Sequence, residues 1–365
     1  ASETERPAVF RLLAYRLPRL AAAVAAGVLL SALATTGAHG GELADAIARR
    51  VRRYEAAHRG VPGLAITDLR TGRSIYRRRP DVRFAPASNQ KLLTTAFALD
   101  RLGADFHFTT SAHLVGDGLY VIGSGDPTLG DPVLADEGGE SIYADLDALA
   151  SAIRRVDPNG LDGTVVLFAC FTDRQQAPQA SFRNPDWPAE QHAKWYCAPV
   201  AGLNFHNNCF DVTFARRGGR IRPVVSPASR RIDVIDRVRP GKRHLWAMRV
   251  DDDDGRVVLS GTARTASDEP ISIACNRPPM LLARVLAERL ARGGVRLGGR
   301  LGVVPVAPEP GAEWPAPVWR KRTPLWTAMR RMNKTSLNMA AESVFLRAGG
   351  GTWAAARQRM TDSLV

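Results

Sequence analysis

In "APASNQKLLTTAFALDRLG", residues 85–103, Ser88 and Lys91 stand three positions apart at the start of a run with helical apolar spacing. On a helix that spacing stacks the two side chains on one face. A serine at a helix N-terminus has its developing charge stabilised by free N–H groups and the dipole. A lysine one turn on can take the hydroxyl proton once burial and its neighbours depress the amine pKa. The plain alternative is a serine N-cap followed by a surface lysine. A lone SxxK match is weak evidence, but a second cluster accompanies it. "RMNKTSLNMAAESVFLRAGG", residues 331–350, holds Ser336 and Asn338 in an SxN triplet that leads into a helix. The Ser336 hydroxyl can both donate and accept, as a proton relay must. Its plain alternative is an N-cap pair before an amphipathic helix.

Ser336 lies 245 residues beyond Lys91, so the fold must return the chain to its starting point. Residues 42–58 have helical apolar spacing with arginines opposite, and "GLAITDLRTGRSIYRRR" reads as two strands around a Thr-Gly turn. The helix of Ser88 and Lys91 should stop near Gly103. From there to about residue 304 short β-like runs dominate: "TTSAHLV", "GLYVIG", "GTVVLFA", "FDVTFA", "RIDVI" and "RVVLSG". Helices are expected at 142–154 and at 279–294, the latter ending on a glycine pair. "APEPGAEWPAP", 307–317, is a proline-rich linker, after which helical spacing resumes. The expected organisation is an α/β (α+β) catalytic domain made of 41–106 plus 318–365, interrupted by a β-rich insertion over 107–317.

The chain has 365 residues and a net charge of +14, with only five lysines among its 50 basic residues. Such an excess can attract an anionic polymer or a membrane. Here the arginines are scattered, and no nucleic-acid motif accompanies them, so no nucleic-acid partner is expected. Leu20–Ala34, "LAAAVAAGVLLSALA", is an uncharged run of 15 residues behind four arginines. A membrane span needs about 20 residues, so residues 1–40 read as a signal peptide, with an uncleaved anchor as the alternative. The body is expected to be periplasmic or otherwise extracytoplasmic, touching the membrane only through that segment if it stays attached. The chain opens on Ala1, so its true start is expected upstream. The four cysteines, 170, 197, 209 and 275, have no zinc spacing. Cys197–Cys209 is the first choice for a disulfide, with buried apolar thiols as the alternative.

Four blocks in order resemble the low-molecular-mass penicillin-binding proteins, D-alanyl-D-alanine carboxypeptidases and endopeptidases with a long insertion between SxxK and SxN. They are "PASNQKLLTT", "VIGSGDPTLG" (121–130), "WYCAPVAGLNFHNNCFDV" (195–212) and "MNKTSLNMAAES", and they cover most of residues 45–365. The resemblance implies a serine transpeptidase fold like that of the β-lactamases. It makes Ser88 the nucleophile, Lys91 the base, Ser336 the proton relay and Asn338 the residue that holds Lys91 and a substrate amide. It implies a peptidoglycan stem peptide as substrate and β-lactams as acylating ligands. With dispersed histidines and no zinc spacing or dinucleotide loop, no cofactor or metal is expected. Asp126, in the turn sequence "GSGDP", is expected to satisfy backbone N–H groups, and Lys334 to be structural.

One departure stands against the family pattern. No KTG, KSG or HTG follows the SxN helix, and the sequence stops at Val365. A truncated sequence is the expected explanation. The resemblance implies that this motif lies on a strand that supplies an oxyanion-hole N–H. Such a donor is typically worth ~3 kcal/mol, so this polypeptide is expected to be a weak catalyst or inactive. The rival readings are a non-catalytic cell-wall binding protein and a serine β-lactamase. "VDDDDGRV", 250–257, lacks EF-hand spacing and reads as an acidic hairpin turn.

Overall fold

The computed structural model describes residues 40–58, 60–157, 161, 165–168, 182–304 and 314–364. The segment read as a signal peptide or anchor, Cys170 and most of the proline-rich linker lie outside them. The described chain forms two compact units that meet in sequence between Ala87 and Ser88.

The smaller unit holds helix α1 (Gly40–Ala57) and an antiparallel hairpin of β1 (Leu64–Thr67) and β2 (Ser74–Arg78). The expected turn is present. Asp68 accepts from the Arg70 N–H at 2.9 Å and the Thr71 hydroxyl at 2.8 Å, and Gly72 takes φ 69°. Arg78 donates to Glu55 at 3.1 Å, which ties the hairpin to α1.

The larger unit starts with α2 (Gln90–Leu102), stopped by Gly103 at φ 80°. Strands β3 (His107–Val115) and β4 (Gly118–Gly123) form a hairpin, followed by α3 (Pro132–Gly138), α4 (Ala144–Val156) and β5 (Val165–Phe168). A run of strands comes next: β6 (Cys209–Arg217), β7 (Arg220–Ser226), β8 (Asp233–Pro240), β9 (Leu245–Val250), β10 (Arg256–Ala263) and β11 (Ser267–Ala274). Helix α5 (Pro278–Arg292) leads to β12 (Leu301–Val304) and β13 (Trp319–Pro324). Helices α6 (Leu325–Thr335), α7 (Asn338–Gly349) and α8 (Trp353–Leu364) complete the described chain.

The main sheet has the order β12-β5-β4-β3-β13, with β5 parallel to β4 and β12, and the β3 pairings antiparallel. Two three-stranded sheets, β11-β6-β7 and β8-β10-β9, make the β-rich part. Helices α4 and α5 pack with these sheets in one continuous core that includes Leu149, Ile153, Leu167, Phe210, Val257 and Leu286. The acidic segment is the β9–β10 hairpin turn, as expected.

The return of the chain is a sheet pairing. β13 runs antiparallel to β3 from Trp319↔Ala112 to Pro324↔His107, and the Leu325 N–H reaches the Phe106 carbonyl at 2.8 Å. Helix α6 therefore starts beside the end of α2. Phe97, Phe108, Leu325, Val344 and Met360 then bury one another, so four helices and a strand share an apolar core. At roughly 25 cal/mol per Å² of apolar surface removed from water, such a cluster outweighs the loop-closure cost, which grows only logarithmically with length.

The expected Cys197–Cys209 disulfide is not formed, and this is a correction. Cys197, Cys209 and Cys275 are buried free thiols. Cys197 closes the 3₁₀ turn Trp195–Cys197, whereas Cys209 opens β6 inside an apolar cluster. Burial pushes the thiols of Cys209 and Cys275 well above their ordinary value, which keeps them protonated.

Candidate active site

The serine of SxxK does not cap its helix. Ser88 lies in a 3₁₀ turn, Ala87–Asn89, that runs into α2, and the N-cap residue Asn89 makes no side-chain capping bond. The Ser88 hydroxyl is 2.5 Å from the Ser336 hydroxyl, and Lys91 Nζ donates to Ser88 Oγ at 3.3 Å. Lys91 Nζ also donates to Asn338 Oδ1 at 2.6 Å. All four residues singled out in the sequence therefore meet in one chain of contacts, Ser336–Ser88–Lys91–Asn338.

The N-cap alternative fails for the second cluster too. Ser336 is the residue that ends α6, in the left-handed region at φ 59°, and α7 begins two residues later without a side-chain cap. A non-glycine residue in that region costs of order 1–3 kcal/mol, and such strain persists where neighbouring structure imposes it. The imposing contacts lie just before the turn. Arg331 donates to Asp131 at 2.7 Å, in a pair with both side chains buried, and also to the Thr335 hydroxyl. Asp131 in turn caps α3 through the Val133 and Leu134 N–H groups. The turn that presents Ser336 is thus clamped to α3.

Asn338 is held from its other end, with Nδ2 donating to the Tyr196 carbonyl at 2.9 Å. This is where the two middle sequence blocks act. Gly125 N–H donates to the Gly202 carbonyl at 2.7 Å, and Asn204 bridges the Asp126 carbonyl and Ser343 Oγ. Ser343, on α7, donates to the Gly125 carbonyl at 2.5 Å. A Cβ on Gly123 would stand 2.3 Å from the Gly202 carbonyl oxygen, so the close approach of the two blocks requires glycine there. Asp126 is buried and accepts from the Thr128 N–H and hydroxyl and from Thr323, the structural role expected of it. The middle blocks are the cradle of α7.

The electrostatics follow from burial. Desolvation holds the Lys91 amine below its ordinary value, with the charge of Glu342 pulling the other way. Glu342 keeps some exposure as a residue, yet burial of its carboxyl pushes its pKa up to about 7, against the smaller effects of Asn184, Lys91 and Arg357. Glu342 was missed in the sequence although its signal was there, since it follows Asn338 by four and so shares that residue's helix face. Asp131 and Arg331 had no signal, because their pairing spans 200 residues.

The geometry can generate a nucleophile: a hydroxyl in contact with a desolvated amine, beside a second hydroxyl. A model of the D-Ala-D-Ala carboxypeptidase 3 (S13) family matches residues 43–365. The chain belongs to that family. A D-alanyl-D-alanine carboxypeptidase of Actinomadura sp. (strain R39) is 26% identical over 321 residues, 80% of this chain and 56% of that protein. The fold is that of penicillin-binding protein 4 (dacB) from Haemophilus influenzae, with a TM-score of 0.62 and 19% identity over 83% of this chain and 66% of that one. A complex of that protein with a novel β-lactam superposes with a TM-score of 0.57 and 20% identity, covering 83% of this chain and 65% of that one. The chain thus spans little more than half the length of the Actinomadura relative. Among the described residues no helix is long and apolar enough to cross a membrane.

Proposed function

We propose that this S13-family chain is the acylating part of a serine-type D-Ala-D-Ala carboxypeptidase and DD-endopeptidase. It acts on peptidoglycan stem peptides in an extracytoplasmic compartment and is acylated by β-lactams. The reading rests above all on Ser88 Oγ, which lies 3.3 Å from Lys91 Nζ and 2.5 Å from Ser336 Oγ. In this reading neutral Lys91 takes the Ser88 proton while Oγ attacks the carbonyl carbon of the penultimate D-alanine. Ser336 passes a proton to the departing amine, the C–N bond breaks, and terminal D-alanine leaves. Water then hydrolyses the Ser88 ester. Asn338 keeps Lys91 directed at Ser88 and offers its amide to the substrate.

The test is labelling with a fluorescent penicillin, using Ser88→Ala as the control. A long-lived adduct on the unmodified chain that is absent from S88A is expected. Undiminished label on S88A overturns the reading. Rapid turnover of the penicillin would favour a β-lactamase instead, and no label on either protein would favour a non-catalytic wall-binding protein.

A further inference from the structure

Behind the amine of Lys91 lies a second charged group that the acylation chemistry does not use. Asn338 touches Lys91 Nζ at 2.6 Å, and Glu342 follows it by one turn on the same face of α7. The carboxyl is also anchored from a segment far away in sequence. Asn184 Nδ2 donates to Glu342 Oε1 at 3.5 Å, while Asn184 Oδ1 accepts from Arg357 on α8 at 3.3 Å. Arg357 is itself held by Asp186 at 2.6 Å. Glu342 therefore faces Lys91 from α2, Arg357 from α8, Asn184 from the loop, and the Cys197 thiol from the 3₁₀ turn Trp195–Cys197.

We infer that Glu342 is a positioning residue whose charge sets the protonation state in which Lys91 meets Ser88. An ionised carboxylate favours the ammonium form of Lys91, which cannot accept a proton. A protonated carboxyl removes that attraction and leaves desolvation to favour the free amine. Because burial places the Glu342 titration at about 7, this change falls in the neutral range. Arg357 and Asn184 act in the opposite sense on Glu342, stabilising its ionised form. The two groups titrate as a coupled pair, so the amine loses its proton over a broad pH range.

The inference rests on Lys91 being the base, and its test does not depend on acylation. The five lysines of the chain make ¹³Cε NMR titration tractable, with Lys91 assigned as the line lost in Lys91→Arg. In the unmodified chain the Lys91 line is expected to show a secondary inflection near the Glu342 midpoint. Glu342→Gln keeps the oxygen that Asn184 reaches and should remove that inflection. It should also lower the Lys91 midpoint by roughly one unit, leaving the other four lysines unmoved. Glu342→Asp, which restores the charge, should return the midpoint toward its original value. A Lys91 line without the inflection, or a midpoint unmoved or raised by E342Q, overturns the inference. Loss of penicillin labelling with the Lys91 shift intact would overturn the acylation reading alone.

Discussion

Ser88 Oγ and Ser336 Oγ stand 2.5 Å apart although 248 residues separate them in the chain. Neither hydroxyl caps the helix it adjoins, so the two face each other, and Ser88 also meets Lys91, rather than being spent on backbone donors. That arrangement turns two local sequence signals, SxxK and SxN, into one site, and it makes the contributions of the individual groups measurable.

Ser336→Ala removes the relay hydroxyl and leaves Ser88 and Lys91 in contact. Loss of one positioned proton-transfer group typically costs roughly 10²- to 10⁴-fold in rate. The acylation rate constant with penicillin should fall by that order, while the folded state, read by near-UV circular dichroism, stays unchanged. A rate within threefold of the unmodified chain, roughly 0.6 kcal/mol of barrier, would exclude Ser336 from proton transfer.

Arg331→Ala should be among the most destabilising single changes at the site. It leaves Asp131, whose side chain has no exposed surface, as a buried carboxylate without its guanidinium. Breaking a buried pair from one side costs about 3–5 kcal/mol. Urea denaturation should show a lower midpoint with an unchanged slope. The same change leaves the Thr335 hydroxyl with only its bond to the residue-331 carbonyl and unfastens the turn from α3, so penicillin labelling should weaken even where the protein remains folded. A stability loss under about 1 kcal/mol would mean that water replaces the guanidinium.

Asp254 sets a pH dependence of stability. Burial raises its pKa from 3.8 to about 6, against the Asn276 and Arg277 N–H groups that it accepts from. The folded state thus holds the proton more tightly than the unfolded chain does. Stability should fall as pH rises through that window and level off above it, by about 3 kcal/mol from this residue. Asp254→Asn abolishes the titration. Relative to the unmodified chain, D254N should gain stability between about pH 4 and about pH 8 in denaturant titrations. A difference that stays constant or reverses with pH would contradict the raised value.

The local elements were largely legible. The helix ending at Gly103, the Thr-Gly hairpin turn, the acidic β9–β10 turn and the helix that stops at Gly293 follow from short-range backbone preferences, which act within a few residues. The disulfide reading of Cys197 and Cys209 failed for the complementary reason. Proximity in sequence says nothing about whether two sulfurs face each other, and here the Cys209 thiol is buried in an apolar cluster while the Cys197 thiol turns toward the Gln191 amide oxygen.

The sequence by itself determined which side chains could form a nucleophile, a base and a relay, because SxxK and SxN are short-range patterns, each placing its polar side chains within one turn of a helix start. Only the tertiary structure decided that they converge. The antiparallel pairing of β13 with β3 delivers α6 beside α2, and the Asp131–Arg331 clamp turns Ser336 toward Ser88. The charge beside Lys91 was likewise settled in three dimensions. A pKa depends on desolvation and neighbouring charge, and those arise from which helices pack together rather than from which residues follow one another.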